Sequence, residues 1–325
     1  MKHFVKRLTS AAAVAALATA AAADVELLHD KGFWSEALDA VGDAAEASTG
    51  NRLVQTPYAT PEQYKAFIQT SATSGEMPDL FTWWTGGVYE ELIASGQVAS
   101  MDPLWEKMIA SGDFDASLRD FYSVDGVAYG IPLHLSRWVA LYNKDHFETA
   151  GVSEPTSWEE LEATAAALKE AGITPFHATT QDGWRGFIWF QEIMIRTNPE
   201  AYAGLHDGSV AYDSDAVRNA FQIWSDWYAE GYFTDPRSND EVGDFAKGEG
   251  AIYLIGDWAV GIVEGAGMTA GEDFSAFIMP NQDPSLPSST ILEGSPIVMS
   301  VSGAENPDAM AALEFFASVD GANAW

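Results

Sequence analysis

The stretch Tyr129–Lys144, Tyr-Gly-Ile-Pro-Leu-His-Leu-Ser-Arg-Trp-Val-Ala-Leu-Tyr-Asn-Lys, constrains this chain more than any other. It reads as two short β runs, Val127–Pro132 and Arg137–Tyr142, with a polar link between them. Pro132 has its φ fixed at about −65° and no N–H to donate, so it belongs at a strand end. His134, Ser136 and Arg137 then cluster beside the Trp138 indole, and a helical pattern follows from Pro155 onward. Two readings stay open on these residues. In one, the stretch is a strand crossing between two αβ lobes, and its polar groups and Trp floor a ligand cleft. In the other it is a β-hairpin with a surface Arg.

Length permits the two-lobe reading, since 325 residues are enough for two domains with their own cores. Hydrophobic residues make up 47%, which marks a globular chain. The net charge of −32 argues against nucleic acid and anionic membrane surfaces as partners, because both would repel it. There is no cysteine, which excludes disulfides, thiolate metal sites, a cysteine nucleophile and lipid anchoring through Cys. The N-terminus has the form of a secretory leader over residues 1–23. Lys2, Lys6 and Arg7 are basic, Leu8–Ala20 is apolar, and Ala21-Ala22-Ala23 suits cleavage, so the mature chain is expected to begin at Asp24 in the periplasm.

The rest alternates strands and helices, as an α/β chain does. Strands are expected at Val25–His29, Leu53–Thr56, Pro78–Trp83, Pro175–Ala178, Ala251–Ile255, Phe274–Met279 and Ile297–Val301. Helices are expected at Phe33–Ala47, Pro61–Ser74, Val88–Ser95, Leu161–Ala171, Gly186–Ile195, Asp215–Ala229, Asp240–Lys247 and Pro307–Ala317. Asp283–Ser288, rich in Pro and Ser, reads as a linker.

No catalytic motif is present: no G-x-S-x-G elbow, no H-E-x-x-H, no phosphate loop, and no metal-ligand spacing among the six histidines. No cofactor is expected. Instead, polar residues and Trp recur just past strand ends: Asp30-Lys31, Trp83-Trp84, Asp257-Trp258 and Asp182-Trp184-Arg185. In open α/β sheets that edge is where ligands sit. A Trp face suits the C–H face of a sugar ring, while Asp and Arg suit its hydroxyls. Core packing is the competing explanation for each Trp singly. Four such strand ends together, three of them bearing Trp, point to a binding cleft.

These segments resemble the extracellular solute-binding proteins of ABC sugar importers, the family that includes maltodextrin-binding protein. Five pieces carry the resemblance in order across nearly all of the mature chain. They are Asp30-Lys31-Gly32; Ser74–Asp79 before the Trp-bearing loop; Tyr129–Pro132 leading to Leu141–Asp145; Gly151 with Pro155–Leu161; and Phe245–Ala251 leading to Gly256–Ala259. The resemblance implies an α/β, two-lobed periplasmic-binding-protein fold of type II, with a cleft between lobes joined by crossing hinge strands. The lobes are expected at 24–133 plus 280–325 and at 134–279. It implies a non-enzymatic monomer that carries a mono- or oligosaccharide to the transmembrane permease subunits of an ABC importer. Asp30, Lys31, Trp83, Trp84, Ser136, Arg137, Asp182, Trp184, Asp257 and Trp258 are its candidate ligand residues. Ser136 stands where maltodextrin-binding protein has a carboxylate, and Gly86-Gly87 replace an acid–base pair, so maltodextrin itself is not the expected ligand. Members of the family continue past the equivalent of Trp325 with helices that help build the second lobe, which implies a chain shortened at its C-terminus. Two other functions fit the composition. One is a secreted glycoside hydrolase, which would need paired carboxylates such as Asp30 and Asp257. The other is import of a non-sugar solute such as an anion or polyamine.

Overall fold

The computed structural model of the chain describes residues 24–181, 183–238 and 240–325. The expected leader at 1–23 and the candidate Asp182 lie outside the described residues. Ten strands are described: β1 (Val25–His29), β2 (Leu53–Pro57), β3 (Leu80–Thr82), β4 (Ser123–Val124), β5 (Val127–Ala128), β6 (Gly130–Asn143), β7 (Phe176–His177), β8 (Ile252–Gly256), β9 (Phe274–Phe277) and β10 (Leu292–Met299). Eight of them join one curled sheet in the order β2-β1-β3-β10-β6-β8-β7, with β9 also on β6. β4 and β5 form a separate small ribbon.

The 14-residue β6 settles the question left open at Tyr129–Lys144. It is neither a hairpin nor two β runs with a link, but one continuous strand. Its first half, Gly130–Arg137, pairs antiparallel with β10. Its second half, Trp138–Asn143, pairs with β8 and β9. The missing N–H of Pro132 does not end the strand, because the partner strand shifts register there. Pro132 faces Pro296 and His134 faces Ser295, so Leu133 is the extra residue of a bulge. Two N–H-less residues thus oppose each other at an irregularity where a ladder bond would be lost anyway.

The cores divide around this strand. One cluster gathers buried residues between Trp138 and Ile291, including Trp158, Leu161, Phe176, Trp189, Trp227 and Ile255. Two others use Val25–Ile131 together with the 297–317 region, packed around β1, β3 and β10. The helices begin and end where their sequences say. Thr60 accepts a hydrogen bond from Gln63 N ahead of Pro61–Ser74, and Gly75 closes that helix at φ 77°. Ser157 caps Trp158–Glu170, while Glu160 reaches back to the N–H of Thr156 at 2.7 Å. Helices Asp102–Ser111, Lys144–Ala150, Pro199–Asp207 and Val319–Ala324 were not expected from the sequence.

Candidate functional site: an aromatic cleft at the strand ends

The first wall is the turn after β1. His29 is fully buried, and its Nδ1 accepts from Lys31 N at 3.0 Å. That leaves Nε2 carrying the proton, which it donates to Gln55 Oε1 at 2.7 Å. Burial lowers the pKa of His29, so the ring stays neutral and holds the turn. The turn delivers Asp30 and Lys31 as a close ion pair, Nζ to Oδ1 2.6 Å, with both side chains almost fully covered. The ammonium stands 5.3 Å over the Trp84 ring. Lys31 has three donors, so the pair and the ring leave capacity for a ligand oxygen.

The second wall is the turn after β8. Trp138 pairs with Gly256, and strand alternation places His134, Ser136, Trp138 and Glu293 on one face of the crossing strands. The Trp258 indole folds back over Gly256 on that same face. Phe33, from the turn after β1, lies against Trp258 with centroids 5.5 Å apart and planes 18° apart. Trp34 meets His134 edge-on at 4.7 Å, and Trp184 stands 6.3 Å from Trp258. An open cleft of about 660 Å³ is lined by Phe33, Trp34 and Trp258 together with Asp240, Gly243 and residues of the helix Val260–Gly265.

The candidates from the sequence distribute as follows. Asp30, Lys31 and Trp84 come together at the turn after β1, beside but not among the residues that line the 660 Å³ cleft. Trp184 and Trp258 come together at the second wall, with the Arg185 guanidinium 4.2 Å over the Trp184 ring. Trp83 is 1% exposed, and its indole N–H donates to Val88 O at 3.0 Å, so it packs as core beneath Trp84. Ser136 is buried on the floor. Arg137 leaves the strand on the opposite face, 62% exposed. Asp257 pairs with it there, accepting from Arg137 N at 3.2 Å and standing 3.9 Å from the guanidinium.

Three residues did not stand out in the sequence, Phe33, Trp34 and Glu293, and His134, named there only as part of the polar cluster beside Trp138, joins them. Glu293 sits directly opposite Ser136, accepts the Trp138 indole N–H at 2.6 Å, and stands 3.8 Å from His134 Nε2. Both ring nitrogens of His134 are buried without a hydrogen-bond partner. The signal for Glu293 lay in register, not in local spacing, because 157 residues separate it from Ser136 in the chain. Phe33 and Trp34 carried a readable signal: two adjacent aromatics opening a helix directly after a strand-end Asp-Lys-Gly.

Aromatic faces, a paired acid and base, and a carboxylate on the floor are the chemistry that holds a polyhydroxylated molecule. The alignment of the sequence as a whole agrees with that architecture: the model of the bacterial extracellular solute-binding protein family matches residues 40–325. This chain belongs to that family. It is 29% identical over 275 residues to a probable sugar-binding periplasmic protein of Brucella suis biovar 1 (strain 1330), covering 79% of this chain and 62% of that protein. A probable sugar-binding periplasmic protein of Rhizobium meliloti (strain 1021) is 27% identical over 297 residues, covering 86% of this chain and 69% of that one. The chain thus spans little more than three fifths of the Brucella relative's length. Among solved structures, one from work on xylan utilization by the thermophilic bacterium Caldanaerobius polysaccharolyticus superposes with a TM-score of 0.81 at 21% identity, over 90% of this chain and 78% of that one. The solute receptor AcbH, described as preferring β-D-galactopyranose, superposes at 0.80 with 20% identity, over 93% and 78%. The fold is therefore the two-lobed solute-binding-protein fold, with β6 and β10 as its crossing strands.

Proposed function

We propose that the protein binds a carbohydrate between two lobes and presents it to the membrane subunits of an ABC importer. The observation that carries this is the meeting, at one aromatic-walled cleft, of the turns after β1 and β8, from opposite sides of the crossing strands. Two separate cores support two lobes. The expected division is 24–133 plus 280–325 and 134–279, although Ile291 of the return segment packs in the core of the second lobe. Trp258, Trp184 and Trp84 supply stacking faces. Asp30, Lys31 and Glu293 supply hydrogen bonds to hydroxyls. The relatives' names as sugar-binding periplasmic proteins, and the family's description as extracellular, support export and a sugar ligand.

In this reading the protein is a carrier and not a catalyst. Asp30 is held by Lys31, and Asp257 lies with Arg137 on the opposite face. The two acids a hydrolase would need are therefore not presented to a shared substrate. The test is a thermal-shift screen over mono- and oligosaccharides, followed by titration calorimetry and product analysis. A sugar that raises the melting temperature by mass action and is recovered unchanged is the expected result. Appearance of shortened products would establish an enzyme. Stabilisation by a polyamine or a carboxylate in place of sugars would establish a different solute.

A further inference from the structure

We infer that Phe33, Trp34 and Asp240 form an extension subsite next to Trp258, so that the preferred ligand is an oligosaccharide of two or more units and not a monosaccharide. The inference rests on the sugar-binding reading and adds the length of the ligand to it.

Phe33 is 50% exposed, although it stands at the cleft, where a chain with enough polar residues could have placed one. It is absent from the apolar core clusters, so packing does not account for it. Its ring is near-parallel to Trp258 at 5.5 Å between centroids, which is an offset stack. An offset leaves part of each face uncovered, and Trp34 continues the wall edge-on at 4.9 Å from Phe33. The result is a run of three aromatic rings, Trp34, Phe33 and Trp258, with centroid spacings of 4.9 and 5.5 Å.

The cleft of about 660 Å³ is several times the volume of one pyranose and falls within the range of about 300–1,000 Å³ usual for ligand pockets. Two of its lining positions, Gly261 and Gly265, have nothing within 4 Å of where a Cβ would stand, so the groove is open at those two points. Asp240 gives the groove a polar contact. Its carboxylate caps Gly243 N at 3.3 Å and pairs with Lys247 at 3.2 Å. Those two contacts leave lone pairs on the carboxylate for a hydroxyl. A single unit stacked on Trp258 would occupy only its own end of this groove and leave the Phe33 and Asp240 end open. A second unit would cover the exposed Phe33 face.

The test uses the full chain and three ladders of probes: glucose, maltose and maltotriose; xylose, xylobiose and xylotriose; galactose and raffinose. Within the ladder that binds, affinity is expected to rise at least tenfold from one unit to two or more. Phe33→Ala is expected to lower the affinity for two or more units by at least tenfold more than the affinity for one unit, so that the rise disappears, and Phe33→Tyr to restore it. Trp258→Ala is expected to weaken every rung. The melting temperature of each variant without sugar verifies that the fold is retained. Equal affinity of the unsubstituted protein for monomer and oligomer overturns the extension subsite and leaves the sugar reading standing. So does an equal loss on every rung in Phe33→Ala. No stabilisation by any sugar overturns the sugar reading and the subsite with it.

Discussion

A Cβ on Gly256 would stand 2.3 Å from Trp258 Nε1 and 2.4 Å from its Cδ1. These are ring atoms of the proposed stacking face, so the absence of a side chain at 256 sets where that face lies. Gly256→Ala should rotate the indole out of place and weaken sugar binding about as much as Trp258→Ala, by roughly 1–3 kcal/mol. Calorimetry with full affinity retained in Gly256→Ala would show that the indole position does not matter. Trp83 and Trp84 give the opposite pair of expectations. Trp83 is buried and its indole N–H is bonded, so Trp83→Ala should cost about 3–5 kcal/mol of stability. Trp84, half-buried beneath the Lys31 ammonium, should lose affinity with a smaller change in melting temperature. The two are adjacent in sequence, and nothing local distinguishes them. Alternation along the strand end does, once β3 is known to stop at Thr82. The position of Trp258 at the cleft follows a Gly two residues earlier at a strand end, a local signal. Arg137 stands among polar neighbours in the sequence, and the pleat turns its side chain to the other face, a feature local sequence does not carry.

Elements whose signals are local were read from the sequence with little error. Val25–His29, Pro61–Ser74 and Asp215–Ala229 have the boundaries their periodicity and capping residues dictate. β6 was not legible as one strand, because the cost of Pro132 is removed by a register shift in β10, which lies some 160 positions away. A second long-range device holds that return strand. The Arg196 guanidinium is fully buried, pairs with Glu192, and bonds Asn281 Oδ1 at 3.2 Å and Ser289 Oγ at 3.3 Å. It thereby anchors the segment that leads into β10, where Thr290 Oγ1 donates to Trp138 O at 2.8 Å. Burial raises the pKa of Glu192 against the pull of Arg196. Arg196→Met alone should therefore cost about 3–5 kcal/mol by leaving a buried acid unpaired, whereas Glu192→Leu with Arg196→Met should recover most of that. Denaturant melts of the two single variants and the double variant measure the coupling. A double variant as unstable as the sum of the singles would mean that the pair is not acting as one unit.

At the scale of the whole molecule, charge and buried histidines oppose one another as pH falls. The net charge of −32 repels itself at neutral pH, and salt with a Debye length of about 10 Å at 0.1 M screens that repulsion. Raising NaCl at pH 7.5 should therefore raise the melting temperature. Lowering pH toward 5 stays above the ordinary carboxylate range of about 3.9–4.3, and Asp102, Asp115 and Asp244 are held lower still, their hydrogen bonds and, for Asp102 and Asp244, nearby cations outweighing desolvation. It does reach the histidines. His29, His146 and His177 have pKa values lowered by burial, so each binds its proton more readily in the unfolded chain. A depressed histidine contributes stability that is present above its unfolded value of about 6.5 and is lost as pH falls below it, at no more than about 1.4 kcal/mol per pH unit for each ring. High salt isolates this term, because the repulsion is already screened. In 0.5 M NaCl the melting temperature should hold from pH 7.5 to about 6.5 and drop from there to pH 5.0. His177→Asn should shallow the slope, because His177 Nε2 lies 2.6 Å from the Glu241 carbonyl in a pocket from which burial excludes the charged ring. A melting temperature that climbs on acidification under these conditions would mean that residual repulsion dominates and that the buried rings are not held neutral.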